Sequence, residues 1–219
     1  MSHKATVVAP SNIALIKYWG TRDLDQTLPF NPSFSMTLRE CATRTTVETL
    51  EGAVADEVLV RGSDGGLQTA SRAFAGGVVR HLDKLRAWAG AADRFRVATE
   101  NSFPMGAGLA SSASGFAALA LAVVESLERD ISPETASRLA RQSGSGSAAR
   151  SVMGGYVEWP AADREDGSAT RCLRQSIGIC GTWSRFWIRP RSVSPPGPDT
   201  SWPRPAPTSS IGSSSCPSG

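Results

Sequence analysis

The chain has 219 residues, 40% of them apolar, and carries 23 Lys and Arg against 20 Asp and Glu. That apolar content over that length can bury one large core or two small ones, which excludes a wholly disordered or fibrous chain. The longest apolar run, residues 116–124, is too short to span a bilayer, and the first residues lack the apolar stretch of a secretion signal, so a cytoplasmic protein with no membrane partner is expected.

In chain order, alternation of polar and apolar residues predicts strands at 5–10, 12–17, 33–38, 43–50 and 57–61. The apolar run 13–16 reads as a buried strand that delivers Lys17 and Tyr18 at its end. A helix is expected over 68–88, with Arg80, Lys84 and Arg86 on a solvated face rather than in a nucleic-acid patch, and with His81 a surface or satisfied histidine. A strand at 93–100 and helices at 109–128 and 132–142 follow. Ser132 suits an N-cap, Pro133 the first helical position, and Gly144 the end of that helix. A strand over 150–159 completes an α+β order. Cys41 is the only Cys before residue 169 and no zinc spacing occurs, so neither a disulfide framework nor a metal site is supported, and metal ligands stay unknown.

The strongest chemical signal is the turn Phe103-Pro104-Met105-Gly106-Ala107-Gly108-Leu109-Ala110-Ser111-Ser112-Ala113, set between a strand and an apolar helix. A helix start leaves backbone N–H groups without partners and carries about half a positive charge, so a glycine-lined entrance suits an anion. No Lys follows the glycines as in a Walker loop, and Ser111 stands where a dinucleotide fingerprint needs its third Gly. A tight helix–sheet contact would select the same small residues. A second donor-rich run, Ser145-Gly146-Ser147-Ala148-Ala149-Arg150, offers hydroxyls, bare backbone and a guanidinium to a phosphate or carboxylate. Lys17 can sit over phosphates or snorkel at a sheet edge.

With Ala9-Pro10-Ser11-Asn12-Ile13-Ala14-Leu15-Ile16-Lys17-Tyr18-Trp19-Gly20 and Leu28-Pro29-Phe30-Asn31-Pro32-Ser33-Phe34-Ser35-Met36-Thr37-Leu38, these motifs stand in the order seen in the mevalonate diphosphate decarboxylases. The chain resembles that branch of the GHMP small-molecule kinase superfamily over about residues 4 to 160. The resemblance implies a GHMP-kinase N-terminal domain, a sheet covered by helices, with the ferredoxin-like second domain absent. It implies ATP and Mg²⁺ as cofactors and a mevalonate phosphate as small-molecule substrate. The tertiary hydroxyl would be phosphorylated, and phosphate and carbon dioxide then lost to give isopentenyl diphosphate. Pro104, Gly106, Ala107, Gly108, Leu109, Ala110, Ser111 and Ser112 would hold ATP. Ala14, Tyr18, Trp19, Gly20, Thr21, Ser145, Gly146, Ser147 and Arg150 would hold the substrate. Catalytic roles fall to Arg150, which fixes the departing carboxylate, to Lys17, and to Asn12, which orients the set. Full-length members are often homodimers through the second domain. Thr21 stands where the family usually has Lys, which makes a mevalonate 5-phosphate decarboxylase the alternative within the class. The family's catalytic Asp has no visible counterpart, so an inactive nucleotide- and substrate-binding fragment is the alternative outside it.

From about Ala169 the composition changes. The last 51 residues hold 11 Ser, 8 of 14 Pro, 6 Arg, 3 of 4 Cys and 3 of 6 Trp, with Asp199 the one acid and no Lys. Disordered tails are poor in Trp and Cys, and Arg outnumbers Lys 20 to 3 across the chain, as in GC-rich genes whose shifted frames yield Arg, Pro, Ser and Gly. The expected organisation is a GHMP-type domain over 1–166 and a non-native or disordered tail over 167–219.

Overall fold

The computed structural model of the chain describes residues 3–62, 65–104, 110–161 and 167–173. The elements are β1 (Lys4–Ile16), β2 (Thr21–Asp23), β3 (Leu28–Pro29), β4 (Ser33–Leu50), β5 (Glu57–Arg61), β6 (Leu67–Thr69), α1 (Arg72–Ala89), β7 (Arg94–Asn101), α2 (Ser111–Ser126), α3 (Pro133–Arg141), α4 (Ala148–Ser151), β8 (Tyr156–Trp159) and β9 (Thr170–Leu173). Seven strands form one mixed sheet, ordered β6-β5-β7-β4-β8-β9 with β1 also on β4, while β2 and β3 make a separate hairpin. Within the sheet only β5 and β7 pair in parallel, across the connection that carries α1.

Where the sequence suggests separate strands at 5–10 and 12–17, and at 33–38 and 43–50, the chain builds one long antiparallel ribbon of β1 and β4. Pro10 faces Ala42, but Ser11 faces Leu38, so residues 39–41 bulge out of the ladder. Proline has no N–H to give a ladder, and a bulge bends the strand that carries it. Beyond that bend β4 changes partner: its 43–50 half pairs with β7 and its 33–36 half with β8.

Helices cover one face of the sheet. Val47, Phe95 and Val97 from the strands meet Leu82, Leu85, Ala117 and Val123 from α1 and α2, all nearly inaccessible to solvent. The opposite face is charged: Arg44 pairs with Glu100 at 2.9 Å, Arg61 also with Glu100, and Arg96 with Glu57 at 2.6 Å. Alternation along the strands produces this division, because successive side chains point to opposite faces.

Several boundaries differ from expectation. Residues 67–69 pair with β5 instead of opening the helix, because Ser71 accepts a hydrogen bond from the Phe74 N–H and sets the start of α1 at Arg72. Of the strand expected over 150–159, residues 148–151 form one helical turn and only Tyr156–Trp159 is extended; Gly154 and Gly155, with φ of 64° and 87°, reverse the chain between them. Ser132 caps α3 by accepting from the Thr135 N–H, with Pro133 inside the first turn, and the Gly144 N–H donates to the Arg141 carbonyl just past its end. The fold also continues beyond the change in composition. Trp159 Nε1 donates to the Gly167 carbonyl at 2.9 Å, Ala169 is buried, and Thr170–Leu173 pairs with β8. The tail from residue 174 lies outside the described residues.

Arg86 is not on a solvated face. It is 7% exposed and grips Asp56 with both guanidinium nitrogens, at 2.9 and 3.0 Å, while a third contact reaches Asp83. A helix projection cannot anticipate an acid from a loop that folds over the helix. His81 is buried, with Nε2 hydrogen-bonded to the Leu139 carbonyl at 2.9 Å. Burial pushes its pKa down to about 4, against the opposing effect of that bond.

Candidate active site

The bent end of the ribbon brings Asn12 against α4. Its Nδ2 donates to the Ser147 carbonyl at 3.0 Å and to Ser151 Oγ at 2.8 Å, while its Oδ1 accepts from Arg150 at 3.4 Å. Arg150 is 2% exposed and also donates to Ser33 Oγ at 2.5 Å. Its Nε is buried without a hydrogen-bond partner, and among the described residues no carboxylate pairs with it. Desolvation lowers its pKa to about 10, so it remains a cation at neutral pH. A buried guanidinium whose described partners are neutral oxygens is suited to hold an anion, since burying a charge without a counter-charge is costly.

Tyr18 packs beside this cluster. Its ring meets Trp159 edge-on at 5.0 Å, and both lie against Gly146. A Cβ at Gly146 would stand 2.5 Å from the Trp159 ring and 2.9 Å from the Tyr18 hydroxyl, so only glycine lets the chain pass there. Ser145 and Ser147 hydroxyls lie 3.2 Å apart, and Ser145 reaches Ser112 Oγ at 3.4 Å, which ties this loop to the start of α2.

Of the expected phosphate turn, Met105 to Leu109 lie outside the described residues, including Gly106, Ala107, Gly108 and Leu109. Pro104 is exposed on its near side. On its far side Ala110 adopts φ 50°, ψ 50°, and α2 begins at Ser111 and Ser112 with no side-chain cap on its N-terminus. A non-glycine residue in the left-handed region is uncommon and marks a constrained turn. Ser11 Oγ donates to the Ala110 carbonyl at 3.3 Å, so β1 touches this helix start as well as the Arg150 pocket.

Asn12, Tyr18, Ser112, Ser145, Gly146, Ser147 and Arg150 are thus brought together. Ala14 is half-buried opposite Ser35 in the ribbon, Thr21 opens the β2–β3 hairpin opposite Pro29, and Gly20 turns the chain with φ 74°. Lys17 is exposed, as is Trp19 at 75%. The reading of residues 13–16 as a buried strand is overturned: Ile13, Leu15 and Ile16 are 43%, 58% and 59% exposed. One face of β1 meets α2 and α4 through Ser11 and Asn12, and among the described residues no element covers the other.

Sequence reasoning assigned no role to Ser33 and Ser151, the partners of Arg150 and Asn12, or to Asn31, which holds the turn after β1. A signal for Ser33 existed. Ser33, Ser35 and Thr37 recur at period two and all face inward, an alternation that reads as an outward face until the buried guanidinium is placed.

A sheet backed on one face by helices, with Ser111 and Ser112 opening α2 and a buried arginine on α4, is the arrangement of a GHMP-kinase-type N-terminal domain. The diphosphomevalonate decarboxylase-like N-terminal domain family matches residues 9–171. A diphosphomevalonate decarboxylase of Aspergillus fumigatus is 46% identical over 83% of this chain and 46% of its own length. The crystal structure of mevalonate diphosphate decarboxylase from Staphylococcus aureus superposes with a TM-score of 0.72 at 37% identity, covering 78% of this chain and 50% of that one. A structure in complex with MVAPP, AMPPCP and magnesium aligns with a TM-score of 0.71 at 37% identity over 79% of this chain and 51% of that one. The chain belongs to the diphosphomevalonate decarboxylase family, and it spans about half the length of the relatives it matches.

Proposed function

We propose that this chain carries the phosphate-binding and carboxylate-binding half of an ATP-dependent decarboxylase acting on mevalonate 5-diphosphate in isoprenoid synthesis. The observation that carries the reading is Arg150: buried, cationic, and held among the described residues by Asn12 and Ser33. A substrate carboxylate would pair with this guanidinium. Asn12 fixes the direction of that group, because its own amide is anchored on Ser147 and Ser151. Tyr18, Ser145 and Ser147 offer hydroxyls to the substrate's phosphates, with Lys17, Trp19, Gly20, Thr21 and Ala14 on the strand and turn that border the pocket. The run from Pro104 to Ser112 would take the ATP phosphates at the uncapped start of α2.

In that reaction a phosphoryl group would pass from ATP to the tertiary hydroxyl, releasing ADP and the hydroxyl proton and making a leaving group; phosphate and carbon dioxide would then depart as the double bond of isopentenyl diphosphate forms. Such transfer depends on positioning and charge neutralisation, the two things these residues provide. Mg²⁺ enters the reading as the companion of ATP, and no residue is assigned to it. Among the described residues no helix is long and apolar enough to cross a membrane, and a cytoplasmic location fits the reading. Thr21, a hydroxyl where the family usually has Lys, favours the 5-phosphate as the alternative substrate.

The half-length match supports a second reading, in which the chain binds both ligands without turnover. Assaying the purified chain with ATP, Mg²⁺ and either mevalonate phosphate for carbon dioxide release separates the two. Calorimetric titration of each ligand into the chain and into Arg150→Gln tests the shared claim. Loss of a charge-assisted contact should weaken mevalonate 5-diphosphate binding by about 2 kcal/mol and leave ATP unaffected. Equal affinity in both proteins would remove Arg150 from the reading.

A further inference from the structure

The turn that follows β1 has little to hold it by packing. Lys17, Trp19 and Gly20 are exposed; Tyr18 packs on the buried Trp159, and the Phe30 ring that lies against Gly20 is itself 65% exposed. The β1–β4 ladder has already ended, its last rung being Ile16 opposite Phe34. The next rung would need a backbone donor near residue 32, and Pro32 has none. Backbone pairing resumes only weakly at the far side, where the Phe30 N–H reaches the Gly20 carbonyl at 3.4 Å.

The side chain of Asn31 fills that gap. Its Oδ1 accepts from the Trp19 N–H at 2.7 Å, and its Nδ2 donates to the Lys17 carbonyl at 3.1 Å and to the Pro32 carbonyl at 2.8 Å. One donor below 3 Å and two carbonyl acceptors fix which amide atom is oxygen, so all three of these contacts are compatible at once. The amide stands in for ladder bonds on both sides of Tyr18, the residue whose hydroxyl lies against Gly146. We infer that Asn31 is a positioning residue: its amide locks the turn of residues 17–20 and thereby holds Tyr18 in place against the substrate pocket. The consequence for ligand affinity rests on the function proposed above.

The test compares the full chain with Asn31→Ala and Asn31→Asp by amide hydrogen exchange, thermal unfolding and titration with mevalonate 5-diphosphate and with ATP. In Asn31→Ala, the amides of residues 17–21 should exchange about tenfold faster while those of 4–10 and 42–50 keep their rates, since three hydrogen bonds are lost, two of them to this turn. Affinity for mevalonate 5-diphosphate should fall about tenfold with ATP affinity unchanged. Asn31→Asp keeps the acceptor, so the Trp19 amide should regain slow exchange although the contact to the Lys17 carbonyl is gone. Unchanged exchange at 17–21 in Asn31→Ala overturns the proposal, as does a parallel loss of both ligands with a lowered unfolding midpoint, which a general structural defect would give. A wild-type chain that fails to bind mevalonate 5-diphosphate would instead overturn the functional reading, and the exchange comparison would then decide alone for or against the lock.

Discussion

The β1–β4 ribbon is one structure with two chemistries. Before the bulge at Pro10 it pairs with β7 and turns Val7, Ala9 and Val47 toward α2, while the buried hydroxyls of Thr43 and Thr45 on the same face are satisfied by Ser114, Asn101 and Thr99. After the bulge it pairs with β8, and the same inward face carries Ser11, Asn12, Ser33, Ser35 and Thr37, with Ser35 Oγ buried and unpartnered. The outward faces invert as well: Thr6, Arg44 and Glu48 near the core end, Ile13 and Ile16 near the site end. The ladder is continuous from Lys4 to Pro10 and is interrupted again between Ala14 and Ile16. Stability is concentrated in the first half, and the second half trades packing for oriented donors, the exchange expected where a site needs buried polar groups.

Truncation at the core end should show the largest effect. Phe95→Ala removes a fully buried ring beneath the Arg86 guanidinium, and should cost ~3–5 kcal/mol in urea unfolding while ligand affinity stays the same. A loss of affinity of similar size would erase the distinction between the two halves. The second effect is set by pH. His81 is held neutral with a pKa of about 4, whereas the unfolded chain protonates near 6.5, so below 6.5 the unfolded state takes up the proton first. Its contribution is complete above pH 6.5 and is lost as pH falls toward 4, about 3 kcal/mol in all. Unfolding midpoints measured across that interval should drop, and His81→Gln should flatten the slope.

Substitution at the site end should act chiefly on binding. Gly146→Ala must displace the Trp159 ring and the Tyr18 hydroxyl, at ~1–3 kcal/mol of stability, and titration should show mevalonate 5-diphosphate weakened more than ATP. Equal weakening of both would remove Tyr18 from the proposed substrate site. Smallest of all, Ile16→Lys should shift the unfolding free energy by no more than about 0.5 kcal/mol, because that side chain is already 59% exposed. A cost above ~2 kcal/mol would mean that the outward face of the ribbon is covered, and the contrast between its two faces would fail.

The helices were legible because their signals are local. Ser132, Pro133 and Gly144 mark α3 through backbone donors and dihedral angles that concern only neighbouring residues. The short β2–β3 hairpin escaped because a two- or three-residue strand has no period to read. Tertiary contacts hold it instead: Lys84 donates to the Asp25 carbonyl at 2.9 Å, and Gln142 to Gln26 at 2.8 Å. The site was half legible. Donor-rich runs around Ser145 and Arg150 name a chemistry by composition, but which oxygens hold Arg150 depends on Ser33, 117 residues away in sequence.

By itself the sequence determined the α+β order, the caps, the donor-rich runs and their family resemblance, since each depends on residue type at short spacing. The tertiary structure alone decided that Ile13, Leu15 and Ile16 are exposed, that Arg86 is buried against Asp56, and that Arg150 is held by the neutral oxygens of Asn12 and Ser33 among the described residues. Burial and charge pairing are properties of what lies across from a residue, and a loop or strand far along the chain supplies that.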